Sequence, residues 1–342
     1  MGPSLRHVGR LAALLAVIAA MAVAAGCTRE ARSSVTAAPP LDGPAMDARM
    51  HALARAVAPA SIGAAVLSIE DGQSWAFNGE RRFPLADTAN VVIAAAALAE
   101  VEAGRLRPSE ILKIREQDLS PPPSAVAEAW PARTNYSVNA LLDLAVAGDS
   151  TAADVLMKRI GGPGAVGGWL QAQNLTDLRI DRYARERTPD MLGVASFRPA
   201  WKGNAAWAAV AATIRPERRR AALAAYLADP RDTATPQGML AFLAALDRGE
   251  LLGPGGSSRL RGLLDHKAAP GRMAISLPPG ARLTGAASAP ADAPVITEAG
   301  LAKLADGRRY AMAVFAAGPG PSPERRQRAV GEAAKAMAAG VR

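Results

Sequence analysis

The stretch ERRFPLADTANVVIAAAALAEVEAGRL (residues 80–106) decides how the chain is read. Asp87 stands just ahead of a long apolar run, Val91 to Ala103, which Gly104 stops. Aspartate is a good N-cap, because its carboxylate accepts the free backbone N–H groups of a helix's first turn. The spacing therefore predicts a buried helix with Asp87 at its mouth. Upstream, Ile62 to Ile69 and Ser74 to Phe77 are strand-like, and Asp71-Gly72 between them is a hairpin signal. Before them, Met46 to Val57 has apolar residues at helical spacing.

Downstream, Pro121-Pro122-Pro123 marks a loop and Ala140 to Val146 a second buried helix. Thr151 with Asp154 reads as a capping box opening a helix to Ile160. The far end returns to sheet chemistry. Ala281 to Ala287 is a strand candidate, and Ile296 to Leu304 and Arg309 to Phe315 flank Asp306-Gly307 as a second hairpin. Pro323 to Ala339 reads as a closing helix capped by Ser322. Strands come from both ends of the chain and helices fill the middle. The expected fold is α+β, an antiparallel five-stranded sheet flanked by helices, with an all-helical lobe at about 84–280.

The chain has 342 residues, half of them hydrophobic, ample for one domain over 46–342. Arg6, His7 and Arg10 precede the apolar run Leu11 to Ala25 and the small residues before Cys27. That run falls short of the roughly 20 residues a spanning helix needs, so 1–26 reads as a secretory signal. Cys27, the single cysteine, resembles the lipidated residue of a bacterial lipobox. Residues 27–45, with Ser33-Ser34 and Pro39-Pro40, then read as a lipidated start and flexible tether. This implies an exported protein on the periplasmic side of the envelope; Thr28 after the cysteine favours the outer membrane. Removing 1–26 takes away two arginines and no acid, so the formal charge falls from +9 to +7. With 4% aromatic residues and no stacking motif, nucleic acid is not an expected partner. His7, His51 and His266 are scattered, and neither a metal site nor a cofactor is expected.

Three segments carry a resemblance to class A β-lactamases and the wider β-lactamase-like serine hydrolases. Residues 80–106 resemble the segment that holds the nucleophile. LLDLAVAGDSTAADVLM (141–157) resembles the second active-site motif, and DPRDTATP (229–236) the close of the Ω-loop, with Arg182 as its opening arginine. LTG (283–285) and DGRRYAMAVF (306–315) resemble the last strands.

The resemblance extends to the scaffold more than to the chemistry. The family acylates a serine one helical turn before a lysine. The matching residues here are Asp87 and Asn90, and no Ser-x-x-Lys occurs in the chain. The second motif reads Gly148-Asp149-Ser150, where Gly148 has no hydroxyl and Asp149 is expected to hold backbone. The deacylating glutamate falls at Ala184, with Glu186 a candidate substitute two residues on. The third motif reads Leu283-Thr284-Gly285, again without its lysine, and Arg282 faces away from Leu283 across the strand. The substrate-carboxylate arginine falls near Thr297. With two lysines lost and Asp87 gained, the resemblance implies a site that repels an anionic lactam. Asp87 is therefore expected as a plain N-cap and Asn90 as a partner of Asp87 or Asp149.

Between Arg182 and Asp232 lie about fifty residues, a much enlarged Ω-loop with an insert at about 183–231. It holds Trp201, Trp207 and the run Arg215-Pro216-Glu217-Arg218-Arg219-Arg220, whose Pro-Glu start predicts a helix. One reading is a solvated helical cover over the cleft. The other is a basic docking face with exposed tryptophans, residues enriched with arginine at interface hot spots. The leading expectation is a non-catalytic, lipid-anchored member of the family that binds an envelope protein or peptidoglycan fragment. The competing one is a divergent hydrolase acting on β-lactams or related amides.

Overall fold

The computed structural model describes residues 39–265, 271–288, 294–320 and 322–341. The expected signal at 1–26, Cys27 and His266 lie outside them. The chain opens on α1 (Gly43–Val57), capped by Asp42, whose carboxylate accepts from Ala45 N at 3.0 Å. Strands β1 (Ser61–Ser68) and β2 (Ser74–Phe77) form the first antiparallel hairpin. After the short β3 (Phe83–Pro84), a 3-10 turn (Ala86–Thr88) leads into α2 (Ala89–Glu102). Every residue from Ala89 to Leu98 is buried, as befits a helix apolar on all sides.

The helical lobe continues through β4 (Ile111–Lys113), α3 (Ala125–Ala129), β5 (Asn135–Ser137), α4 (Val138–Val146), α5 (Ser150–Arg159) and α6 (Pro163–Ala172). The insert supplies α7 (Ala184–Leu192), α8 (Asn204–Thr213) and α9 (Pro216–Ala228). Then come β6 (Thr233–Ala234), α10 (Pro236–Arg248), α11 (Pro254–Asp265) and α12 (Arg272–Ser276). The chain closes with β7 (Arg282–Ser288), β8 (Val295–Lys303), β9 (Arg309–Ala317) and α13 (Pro323–Gly340).

The five long strands form one antiparallel sheet in the order β2-β1-β9-β8-β7. The two chain ends thus meet at its centre, where β1 pairs with β9 over eight residues from Ser61↔Ala317 to Ser68↔Tyr310. On one face α1 and α13 bury Met46, Met50, Val330 and Met337 against Ile62, Met312 and Val314. On the other, α2 and α10 bury Val92, Phe242 and Leu243 with Phe83 and Phe315. Helix α10 therefore belongs to the layer against the sheet, and α12 packs on α13 and β7, so the helical lobe ends before Arg272.

Three capping expectations are corrected. Helix α5 is capped by Asp149, whose carboxylate accepts from Ala152 N at 2.9 Å. Thr151 and Asp154 turn into the lobe and bond elsewhere. Ser322 holds the N-cap place of α13, but its side chain bonds none of the helix's free backbone N–H groups. Asp87 does not cap α2: the coil has already begun at Ala86, and Thr88 occupies the N-cap.

Candidate functional site

The turn at residues 85–90 is shaped by one strained residue. Ala86 has φ +46, in the left-handed region that a residue with a Cβ rarely enters. Such strain persists where surrounding contacts over-determine it, often at sites. Here two hydroxyls fasten the preceding carbonyl: Thr88 Oγ1 donates to Leu85 O at 2.6 Å and Thr297 Oγ1 at 2.9 Å, and the hydroxyls lie 3.3 Å apart. Thr297, the counted position of the substrate arginine, is fully buried and serves to anchor the turn.

Asp87 is half-buried on this turn. Asn90, one helical turn on, is 1% exposed, and neither its Oδ1 nor its Nδ2 has a hydrogen-bond partner. The expected bond to Asp87 or Asp149 is not made. A helical side chain leans back over the turn before it, so the Asn90 amide lies by Ala86 and Asp87.

The charge reading also needs correcting, because a cation arrives from the insert. Arg187 on α7 is 3% exposed and its Nη2 donates to Ala86 O at 3.3 Å, while Nη1 has no partner. Its charge acts on two further buried groups. Burial pushes the Asp154 carboxyl above its usual range, while Arg187 and three hydrogen bonds pull it back. Burial pushes the Tyr226 hydroxyl up to about 12; Arg187 opposes the rise, and the carboxylates of Asp232 and Asp87 add to it. The turn at Ala86 thus meets a guanidinium at its carbonyl, and Asp87 lies close enough to a neutral phenol to act on it. Neither Arg187 nor Tyr226 was picked out from the sequence, because the fold and not a local pattern buries them. Arg187 lies three residues after the buried Ala184, on the same helix face, and Tyr226 is the sole buried residue of α9.

The second motif is scaffolding. Asp149 accepts from Val126 N and Ser124 Oγ, each at 2.9 Å, besides capping α5. Burial raises its carboxyl, with these bonds opposing. Ser150 is buried in the first turn of α5. Gly148 has φ +107, so a serine there would sit in a conformation L side chains avoid.

Ala184 is buried, and its N–H donates to Asp154 Oδ1 at 2.7 Å; Arg185 N donates to Asp154 Oδ2 at 3.0 Å. Asp154 therefore reaches across from α5 to cap α7. Glu186 is exposed and bonds Tyr183 N at 2.9 Å, closing the same helix start from outside. Its carboxylate is occupied with capping, as expected of a structural rather than a substitute catalytic residue.

The third motif lies on the edge strand β7. Thr284 donates to Asp265 at the end of α11. Gly285 faces Gly300, and a Cβ on Gly285 would lie 2.3 Å from Ala299 O, so the residue permits a close strand approach. Leu283 packs with the α1/α13 core, and Arg282 is exposed. Where Thr88 on the turn meets Gly285 and Ala286 on β7, apolar side chains leave a cavity of about 10 Å³, room for one water at most.

The enlarged Ω-loop is tied at its neck. Arg182 Nε donates to Asp232 Oδ2 at 2.6 Å, with Asp190 at 2.7 Å and Asp229 at 3.4 Å from its Nη1. Beyond the neck, Trp201 and Trp207 are half-buried rather than exposed. Their rings lie 6.4 Å apart, and Phe197 meets Trp207 edge-on at 5.8 Å. Arg215, Arg218, Arg219 and Arg220 are exposed.

Comparison with known proteins agrees with this scaffold. The sequence matches the beta-lactamase enzyme family over residues 45–340. Beta-lactamase PSE-4 of Pseudomonas aeruginosa is 30% identical over 134 residues, 39% of this chain and 46% of that protein, so the chain spans about half the length of such relatives. A beta-lactamase of Rhodobacter capsulatus is 26% identical over 219 residues, 63% of this chain and 61% of the relative. Among solved structures, a beta-lactamase from Xanthomonas campestris superposes with a TM-score of 0.69 at 22% identity, covering 86% of this chain and 96% of the other. A PBP-A mutant solved as its penicillin-G acyl-enzyme gives 0.68 at 18% identity, covering 88% and 98%.

Proposed function

The chain belongs to the beta-lactamase enzyme family, and we propose that it is a non-acylating member that serves as a binding module in the cell envelope. One observation carries the reading. The nucleophile and lysine positions hold Asp87 and Asn90, and the Asn90 amide is sealed in with no partner to activate. Asp87 offers no hydroxyl to deprotonate, and the amine that would take up a hydroxyl proton is missing as well. The proposal includes export by residues 1–26 and a lipid anchor at Cys27 on the periplasmic side, the outer membrane being favoured.

The divergent hydrolase is the competing reading, and the backbone strain at Ala86 beside Arg187 favours it. Steady-state hydrolysis of a chromogenic cephalosporin separates the two. The expected rate equals the buffer background for the wild type and for Asp87→Ala and Glu186→Ala alike. Turnover that either substitution abolishes contradicts the proposal.

A further inference from the structure

The insert carries a surface that neither the cleft nor the core explains. Helix α8 has no Asp, Glu, Lys or Arg among its ten residues, six of them alanine, and none is fully buried. It borders an apolar groove of about 390 Å³ lined by Val194, Trp201, Val210 and Ile214, with Arg218 at its edge. The surrounding charge is one-sided. Residues 193–228 contain Arg198, Lys202, Arg215, Arg218, Arg219 and Arg220 against the single acid Glu217. Glu217 pairs with Arg220 at 3.3 Å, and among the described residues neither Arg215 nor Arg218 has an acid within ion-pair distance. Arg198 stacks over Trp201 at 5.3 Å, which places a cation and an indole side by side at the rim.

We propose that α8 and the arginines beside it dock onto an anionic lipid surface. Uncharged apolar helix, tryptophan at its margin and flanking arginines are what an interfacial segment combines: the apolar part enters the headgroup boundary and the cations meet lipid phosphates. A protein partner fits less well, because alanine is depleted at protein interfaces, and α8 offers mostly alanine. Among the described residues no helix is long and apolar enough to cross a membrane, so the contact lies at the surface. The inference rests on reading the chain as a binding module and supplies the partner. Its test does not involve acylation, so the two readings fail separately.

The unit Pro39–Arg342 contains both hydrophobic cores and lacks the apolar leader and Cys27, so any lipid association comes from the folded protein. It is sedimented with vesicles of mixed phosphatidylglycerol and phosphatidylcholine, and with phosphatidylcholine alone. Association with the anionic vesicles only is expected, released near 1 M salt, where the screening length falls to about 3 Å. The triple variant Arg215→Glu, Arg218→Glu, Arg220→Glu is expected to lose on the order of 100-fold in partitioning, since each cation near such a surface contributes several-fold. The exposed pair Ala208→Glu, Ala212→Glu should weaken it as well, with unchanged thermal melting for both variants. Absence of binding, binding indifferent to these substitutions, or capture by peptidoglycan or by a second copy in place of vesicles overturns the proposal.

Discussion

Replacing Arg182 with alanine is expected to lower the unfolding free energy by about 3–5 kcal/mol, because it strands a buried acid that the guanidinium now neutralises. Asp232 is 1% exposed, and besides the 2.6 Å bond to Arg182 Nε it accepts from Asp181 N at 2.8 Å and Arg182 N at 2.9 Å. It also stands at φ +54, where asparagine is tolerated better than most residues. Asp232→Asn keeps those backbone bonds and leaves Arg182 its contacts to Asp190 and Asp229. It should therefore cost less, about 1–3 kcal/mol. Urea unfolding followed by circular dichroism measures both. Equal losses, or Arg182→Ala within about 0.5 kcal/mol of wild type, a range typical of surface changes, would show that the neck is not held by this cluster.

Asp154→Ala is expected to be as damaging, at about 3–5 kcal/mol, for a related reason. The side chain accepts from Ser120 Oγ at 2.6 Å and from Ala184 N and Arg185 N, and its charge faces Arg187. Removing it uncaps α7 and leaves a buried guanidinium without a counter-charge. The insert should open before the rest of the fold, since local unfolding follows the least stable contacts. Limited proteolysis reads this directly: cleavage within 184–231 should appear in Asp154→Ala under conditions that leave the wild type whole. Asp154→Asn, which keeps one acceptor, should be intermediate. Uniform resistance in all three would contradict the capping role.

What the sequence made legible was local and periodic. The apolar run after Asp87, the two Asp-Gly hairpins and the Pro-Glu start of α9 each predict their element from neighbouring residues, and each element forms within a few positions of expectation. The site was less legible because its chemistry comes from distant segments. Arg187 reaches Ala86 across 101 positions, and no pattern around residue 87 announces it. Asp87 looked like a cap because its spacing fits one. The left-handed turn at Ala86 starts the coil early, so Thr88 and not Asp87 holds the N-cap place. Thr151 and Asp154 fit the capping-box spacing equally well, yet Asp149 stands nearer the free N–H groups and Asp154 caps a different helix. Capping patterns name the residue types a helix start needs; the tertiary fold decides which start each one serves.

The measurement closest to the central claim is the intact mass of the protein after incubation with benzylpenicillin. The mass is expected to stay at that of the untreated chain, with no covalent adduct at any time point. A stable adduct, mapped by peptide sequencing to a residue of the cleft, would reveal a working nucleophile and contradict the reading of this chain as a non-acylating member of its family.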